Sequence, residues 1–438
     1  MRELGRRRRN LLLGGATAFA ALAGTALLLR PPPPPERVIL IVVDTLRRDF
    51  LSPYGSDNAT PHIQALAARG QVFSNASASF HQTSMSMGSL FTGRTPSIET
   101  EDPRHAVPWN SSTWCGLARF AEPGETSSCI PSGVPTLGER MREAGYRTIG
   151  VVSNPFLFEP SGFGRGFDDW VEVGESGWEV ATVSISRRTA TQVNRAAAQA
   201  LKRRRSDRFF LYVHYMDVHD YTLPVAKADW DAETGARVYA EAVRRVDAGV
   251  GRLLADLEGE GLLAGARVIF TSDHGERLGE RHLGRGRGKL LGHLGNPSFE
   301  ELLRIPLIVA PPLDRDVSAL VRSEDLFHLV QAIAGVPSRP ATPLRPEEVF
   351  LGELYFLTYR DARWKSTVRR ADEALLLFDL AEDPRETRDF ADERGDVVAR
   401  HRRRIAALSR QLATRTLPKP GDAADDRRRL RALGYLEE

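Results

Sequence analysis

The sequence predicts an α/β protein. A mostly parallel sheet is sandwiched by helices, and a small antiparallel α+β subdomain follows at the C-terminus. Three observations predict this. Two apolar, β-branched runs, 38–43 and 268–271, read as strands buried on both faces, and each stops at a carboxylate, Asp44 or Asp273. Strand-like and helix-like segments alternate up to about residue 345, as they do in parallel sheets covered by helices. Beyond that point the alternation gives way to consecutive strand-like runs and one long basic helix.

The elements follow in order. After strand 38–43, Thr60 as N-cap and Pro61 at the first helical position open a helix that runs to Ala68, with Gly70 as its C-cap. Residues 71–73 read as a short strand. Residues 135–144 repeat the helix grammar and end at Gly145, before strand 148–152. A helix with a basic end is expected over 189–205 and a strand over 209–214. Val243, Val246, Val250, Leu253, Leu254 and Leu257 recur at helical spacing, ahead of strands 268–271 and 307–310. In the C-terminal part, 349–359, 364–369 and 374–380 read as antiparallel strands and 396–414 as a basic amphipathic helix. The charged stretch 422–429 reads as a solvated tail. No internal repeat is visible.

The expected division is a leader and spacer over 1–36, a catalytic domain over 37–345 and the C-terminal subdomain over 346–438. Arg6 to Arg9 precede the uncharged segment 11–29, and five prolines occupy 31–35. Basic residues before an apolar stretch of this length are an export signal or a membrane anchor. The paired arginines beside Asn10 resemble a twin-arginine signal, and the proline run is a stiff spacer. Both readings put the body on the periplasmic or extracellular side of the envelope. There the only two cysteines, Cys115 and Cys129, are free to form a disulfide or to remain thiols. The charge balance, 60 basic against 57 acidic residues, gives no electrostatic case for a nucleic-acid partner.

In open α/β sheets, ligands bind beyond the carboxyl ends of the strands. Two strands that both end in carboxylates therefore point to one site. Four segments extend this reading: Val43-Asp44-Thr45-Leu46-Arg47-Arg48-Asp49, Thr83-Ser84-Met85-Ser86-Met87 running on to Leu90-Phe91-Thr92-Gly93-Arg94, Thr271-Ser272-Asp273-His274-Gly275-Glu276, and Leu377-Phe378-Asp379-Leu380. Taken in this order they resemble the sulfatase family of the alkaline phosphatase superfamily. The resemblance implies an alkaline-phosphatase-like core, hydrolysis of sulfuric or related esters, and one divalent metal ion. It implies calcium as that ion, while a histidine ligand suits manganese or zinc.

The resemblance also assigns residues. Thr83 falls at the family's nucleophile position, and Asp44, Thr83, Asp273 and His274 fall at metal-ligand positions. Family sulfatases carry a Cys or Ser at the nucleophile position, which is oxidised to formylglycine. Threonine has no such route, so no formylglycine is expected, and the basic residue usual at Met87 is absent. An unmodified hydroxyl activated by a metal is the alternative nucleophile. His219 resembles the family's leaving-group histidine and is the expected general acid, with Asp217 to orient it or contact substrate. His293 and Lys289 are the candidates for contact with the transferred anion. Asn154 stands where a Lys-Trp-His element is missing and would serve as a hydrogen-bond donor. His214, inside a strand, reads as a core histidine. Two other readings stay open: a phosphoesterase, phosphodiesterase or phosphotransferase on the same scaffold, or a catalytically weak, envelope-anchored binding protein.

Overall fold

The computed structural model of the protein describes residues 34–97, 112–122, 125, 128–159, 161–174, 189–203, 206–222, 231–280, 292–293, 297–340, 342–353 and 355–412. The N-terminal leader, Lys289 and the C-terminal tail lie outside the described residues. No helix among the described residues is long and apolar enough to cross a membrane.

The element order follows the predicted alternation. Strand β1 (Arg37–Val43) leads to α1 (Pro61–Ala68), the short strands β2 (Gln71–Val72) and β3 (Ala76–Ser77), and α2 (Thr83–Thr92). Then come α3 (Leu137–Glu143), β4 (Arg147–Val152), β5 (Asp169–Glu172), α4 (Ala190–Arg203), β6 (Phe209–Tyr215) and α5 (Ala232–Gly259). Strand β7 (Ala266–Ser272), the single turn α6 (Glu300–Leu303), β8 (Leu307–Ala310), β9 (Val321–Arg322) and α7 (Ser323–Ile333) complete the larger part. The remainder is β10 (Val349–Gly352), β11 (Phe356–Arg360), β12 (Trp364–Arg369), β13 (Leu375–Asp379) and α8 (Gly395–Leu412).

Seven strands form the main sheet in the order β2-β8-β7-β1-β6-β4-β5. The five strands from β7 to β5 run parallel, and β8 and β2 are antiparallel additions at one edge. Strand β1 sits between β7 and β6 and is buried on both faces. Its alternate residues feed two separate cores. Val38, Leu40 and Val42 pack with Met85 and Phe91 of α2, Leu137 of α3 and Leu326 of α7. Ile39, Ile41 and Val43 pack on the opposite face with Ile63 of α1, Val193 of α4 and Val243 of α5. The period-2 pleat thus distributes one apolar run between two helical layers.

Two expectations need correction. Residues 349–359 are not one strand: the chain reverses after Gly352, and β10 pairs antiparallel with β11, Val349 opposite Arg360. At the reversal, a Cβ on Gly352 would come 2.5 Å from Ser97 Oγ, so the chain needs a glycine there. Helix α1 ends at Ala68 as expected, but its C-cap is Arg69 rather than Gly70. Gly70 serves a close approach instead, since a Cβ there would lie 2.6 Å from the Val309 carbonyl oxygen. The two cysteines are joined as a disulfide, Cα to Cα 5.4 Å.

The four-stranded C-terminal sheet, β10-β11-β12-β13, is tied to the main layer by buried charge. Lys365 Nζ on β12 lies 3.1 Å from Glu300 Oε1 and 2.8 Å from Glu386 Oε1, and Arg360 Nη1 lies 3.2 Å from Glu300 Oε2. All four side chains are buried. Removing the lysine leaves Glu300 with Arg360 and Arg304 but strands the buried Glu386 carboxylate without a cation. Lys365→Ala should cost about 3–5 kcal/mol in a denaturant titration, far more than a surface lysine. A loss under about 1 kcal/mol would mean that water or Arg304 fills the gap.

Candidate active site

The register of the main sheet assembles the site. Val43 at the end of β1 is level with Ser272 of β7 and Tyr215 of β6, and Val152 at the end of β4 is level with His214. Four adjacent strands therefore deliver Asp44, Asp273 with His274, His214, and Asn154 to one end of the sheet. Ser272 pins β1 to β7: its Oγ donates to the Val43 carbonyl at 2.7 Å and accepts from Leu46 N at 2.9 Å. The turn after Asp44 is strained, because Thr45 holds φ 55°, a left-handed conformation that a β-branched residue rarely adopts. Three hydrogen bonds hold it. Thr45 N donates to Asp273 Oδ1 at 3.0 Å, its Oγ1 donates to the Asp44 carbonyl at 2.8 Å, and its carbonyl accepts from Tyr239 Oη at 2.6 Å.

Helix α2 brings the hydroxyl. Thr83 is its first residue, at the electropositive end of the helix. Its Oγ1 lies 3.4 Å from both Asp44 Oδ2 and His274 Nε2, and 3.3 Å from Asn154 Nδ2. The glycine that ends α2, Gly93, takes φ 65°, the left-handed cap that lets the chain leave the helix.

The two carboxylates share a pattern. Asp44 Oδ2 accepts from Asn154 Nδ2 at 2.6 Å and faces His214 Nε2 at 3.0 Å, while its Oδ1 is buried with no hydrogen-bond partner. Asp273 Oδ1 accepts from the backbone N–H of Thr45 and of His274, while its Oδ2 is likewise buried and unpartnered. His274 directs Nδ1 to the Gly275 carbonyl at 2.8 Å, which places the proton there and leaves the Nε2 lone pair facing Thr83. Ligand atoms of Asp44, Asp273 and His274 all lie within 4.8 Å of one another. Buried carboxylate oxygens without donors are costly. A divalent cation is the partner this donor set fits, with one oxygen from each carboxylate, the imidazole nitrogen and the Thr83 hydroxyl as ligands.

The charges follow from this arrangement. Burial works against ionisation of Asp44, but the His214 hydrogen bond and the nearby imidazoles outweigh it and hold the carboxyl well below the usual range. Burial, with the negative charge of Asp44, pushes Asp273 the other way. His219 lies beyond β6. Burial opposes its charge, yet its bond to Asp220, at 3.1 Å, and the field of Asp44 push it up to about 9. His293 contacts Glu276 Oε2 through Nδ1 at 3.0 Å and lies 4.5 Å, ring to ring, from His274 and 5.8 Å from His219. Its burial keeps it neutral, with its pKa below the ordinary value.

Of the residues the sequence singles out, the structure gathers Asp44, Thr83, Asn154, His219, Asp273, His274 and His293 around one point. Asp217 stands apart: its Oδ1 accepts from Ala190 N at 3.1 Å, burial pushes its carboxyl up to about 6, and Asp220 is the residue that orients His219. Lys289 lies outside the described residues. His214 is not a bystander of the core. It bridges Asp44 and the Tyr212 hydroxyl, 2.8 Å from Nδ1, and so fixes the Asp44 carboxylate. Glu276 and His81 also escaped sequence reasoning. Glu276 follows the Asp273-His274-Gly275 signature directly, which is a usable signal; His81 has none beyond its place two residues before Thr83.

A hydroxyl at a helix N-terminus, facing two carboxylates and an imidazole at the ends of parallel strands, is the layout of a hydrolase of the alkaline phosphatase superfamily. The sequence profile of the family described as Sulfatase matches residues 36–336. The chain belongs to that family. Mouse (Mus musculus) steryl-sulfatase is 27% identical over 377 residues, covering 70% of this chain, and the chain spans 56% of that relative's length. In three dimensions the fold is similar to that of a 2-O GAG sulfatase (TM-score 0.64, 16% identity, 90% of this chain and 96% of the other). It is similar as well to the phosphonate monoester hydrolase of Agrobacterium radiobacter (TM-score 0.59, 17% identity, 86% and 96%).

Two substitutions separate ligation from support. Asp273→Asn should abolish retention of a divalent ion by dialysed protein, read by elemental analysis, while the apo protein stays folded because a repulsive buried charge has gone. His214→Ala should weaken metal affinity by roughly 10–100-fold, as loss of a residue that orients a ligand does. Equal affinities for both variants and the parent would place the ion elsewhere.

Proposed function

We propose that the protein is a metal-dependent hydrolase of sulfuric esters that works by in-line attack of the Thr83 hydroxyl. The observation that carries the reading is the pair of unpartnered carboxylate oxygens, Asp44 Oδ1 and Asp273 Oδ2, beside that hydroxyl. A divalent ion held by Asp44, Asp273, His274 and Thr83 would lower the pKa of the hydroxyl and offset charge on the transferred group. Asp44 alone is too weak a base for that task, since its neighbours hold it ionised far below neutral pH. Calcium follows from the family resemblance; manganese and zinc suit the histidine ligand, and a metal panel distinguishes them.

The chain's own groups then divide the work. Thr83 Oγ, its proton given up to solvent water, attacks sulfur from the side opposite the leaving oxygen. Protonated His219 gives its proton to that oxygen, and the neutral alcohol departs. Water then attacks the sulfur of the ester left on Thr83; the S–Oγ bond breaks, one water proton returns to His219 and the other to Thr83 Oγ, and sulfate leaves. Asn154, 3.3 Å from Thr83 Oγ1, is the donor closest to hand for the anion. No formylglycine takes part, and the peptide containing Thr83 should show an unmodified mass. The basic-apolar segment at the N-terminus supports a body exported or anchored outside the cytoplasm.

One observation favours a second reading. Met87 is fully buried where sulfatases carry a basic residue, and an unmodified threonine suits phosphate ester transfer. The deciding experiment compares nitrophenyl sulfate, phosphate monoester and phosphodiester with the parent and Thr83→Ala. Dominant, Thr83-dependent sulfate cleavage supports the proposal, and dominant phosphate cleavage replaces it. A separate check uses pH. With His219 as acid, the rate stays level up to about pH 9 and falls roughly tenfold per unit above it, because the proton is lost there. His219→Gln should lower the rate and remove that alkaline limb.

A further inference from the structure

The segment that leads into Thr83 contains a buried histidine the mechanism above does not use. His81 is 1% exposed and lies two residues before the nucleophile. Burial, with the charges of His293 and His274 close enough to act on it, disfavours its protonation, so the ring lies near the site. Nδ1 lies 2.9 Å from Ser298 Oγ, and Ser298 Oγ in turn bonds the Glu353 carboxyl. Glu353 Oε1 itself is 3.6 Å from His81 Nδ1.

Each member of this chain comes from a different part of the fold. His81 precedes α2, Ser298 precedes α6, and Glu353 sits at the turn between β10 and β11 of the C-terminal sheet. The turn is fixed: Glu353 N donates to the Phe356 carbonyl at 2.9 Å, and the Glu353 carbonyl accepts from Arg370 Nε at 2.7 Å. A buried carboxyl held this firmly serves no surface purpose. A hydroxyl between a carboxyl and an imidazole has one proton to give. An ionised Glu353 takes it, and Ser298 then accepts from Nδ1–H of His81. A protonated Glu353 reverses both bonds and puts the proton on Nε2. In either state the roles of the two ring nitrogens are set by the carboxyl.

We propose that His81 is a further functional imidazole of the centre and that Glu353 is its positioning residue, acting through Ser298. The small C-terminal sheet thereby enters the chemistry of Thr83. A neutral ring of fixed tautomer beside the nucleophile orients one polar atom of the bound ester or of the attacking water. Orientation of that kind is what outer partners of active-site histidines supply. The proposal rests on the reading of this centre as an ester hydrolase.

The test uses the full chain and whichever of the three nitrophenyl esters the parent hydrolyses. Ser298→Ala should lower kcat by roughly 10–100-fold, with KM and bound metal within about twofold of the parent. Ser298→Thr, which keeps the hydroxyl, should restore the rate. In a His81→Ala background, Ser298→Ala and Glu353→Gln should cost nothing more, because they act through the missing ring. Losses that multiply in the double variants, or an Ser298→Ala enzyme as fast as the parent, overturn the proposal. A second measurement needs no turnover, so it stands even if none of the esters is a substrate. Nitrogen-15 spectra of labelled histidine should show one tautomer for His81 in the parent and a mixture in Ser298→Ala. An unchanged His81 signal overturns the relay.

Discussion

The constraint on which the rest depends is the confrontation of two carboxylates, Asp44 and Asp273, in the dry interior at the ends of neighbouring strands. Like charges at this separation repel strongly where water cannot screen them. The fold meets that repulsion from the outside. Asn154 and His214 bond one oxygen of Asp44, and the amides of Thr45 and His274 bond one oxygen of Asp273. The other two oxygens are left without donors. Donors placed on one side of each carboxylate fix its plane, so the free lone pairs converge before any cation arrives. That is preorganisation, and its cost is carried by the backbone as well. Thr45 holds a conformation worth about 1–3 kcal/mol of strain so that its amide can reach Asp273.

Much of this was legible in the sequence, for physical reasons that also mark its limits. Asp44 and Asp273-His274 could be read because an apolar run fixes a strand, and a parallel sheet collects ligands at the strand ends. Thr83 could be read because the segment that follows it matches a known signature. His214 could not. It occupies an inward position in a run of apolar residues, where burial and ligation look alike in sequence. Only the register that sets Val42 level with His214 brings its ring to Asp44. The exchange of Asp217 for Asp220 has a similar origin. Both are near His219 in sequence, and the helical turn over His219–Thr222 decides which carboxyl meets the ring. Strand 349–359 was misread because the apolar pattern continues through the reversal, and the requirement for Gly352 comes from Ser97, far away in the chain.

Distant contacts of the latter kind also explain why the C-terminal sheet matters. Lys365 joins Glu300 of the main layer to Glu386 of the smaller part, and Glu353 reaches Ser298 and His81. Buried ion clusters contribute little net stability against an apolar alternative of the same shape. Their value is geometric, because a charge pair fits in one arrangement only. The cluster around Glu300 therefore fixes the position of the hairpin that carries Glu353 more narrowly than apolar packing would.

The histidines show how one environment yields several chemistries. His219 and His293 lie 5.8 Å apart, ring to ring, with His81 buried near them, yet their states differ with burial, the Nδ1 partner and neighbouring charge. Next to Asp220, and within the field of Asp44, a ring stays charged despite burial. Next to the Gly275 carbonyl, the His274 ring is oriented with Nε2 toward Thr83. Next to the Ser298 hydroxyl, a deeply buried ring is pushed well below its usual pKa. His293 is the instructive intermediate. Glu276 alone would charge it, but burial and the neighbouring His274 and His219 outweigh that carboxylate. The proposed mechanism asks one imidazole, His219, to carry a proton, and the field that charges it does not charge His293 or His81. At His219 the Nδ1 partner prevails over burial, and at His293 burial and the neighbouring rings prevail over the Nδ1 partner.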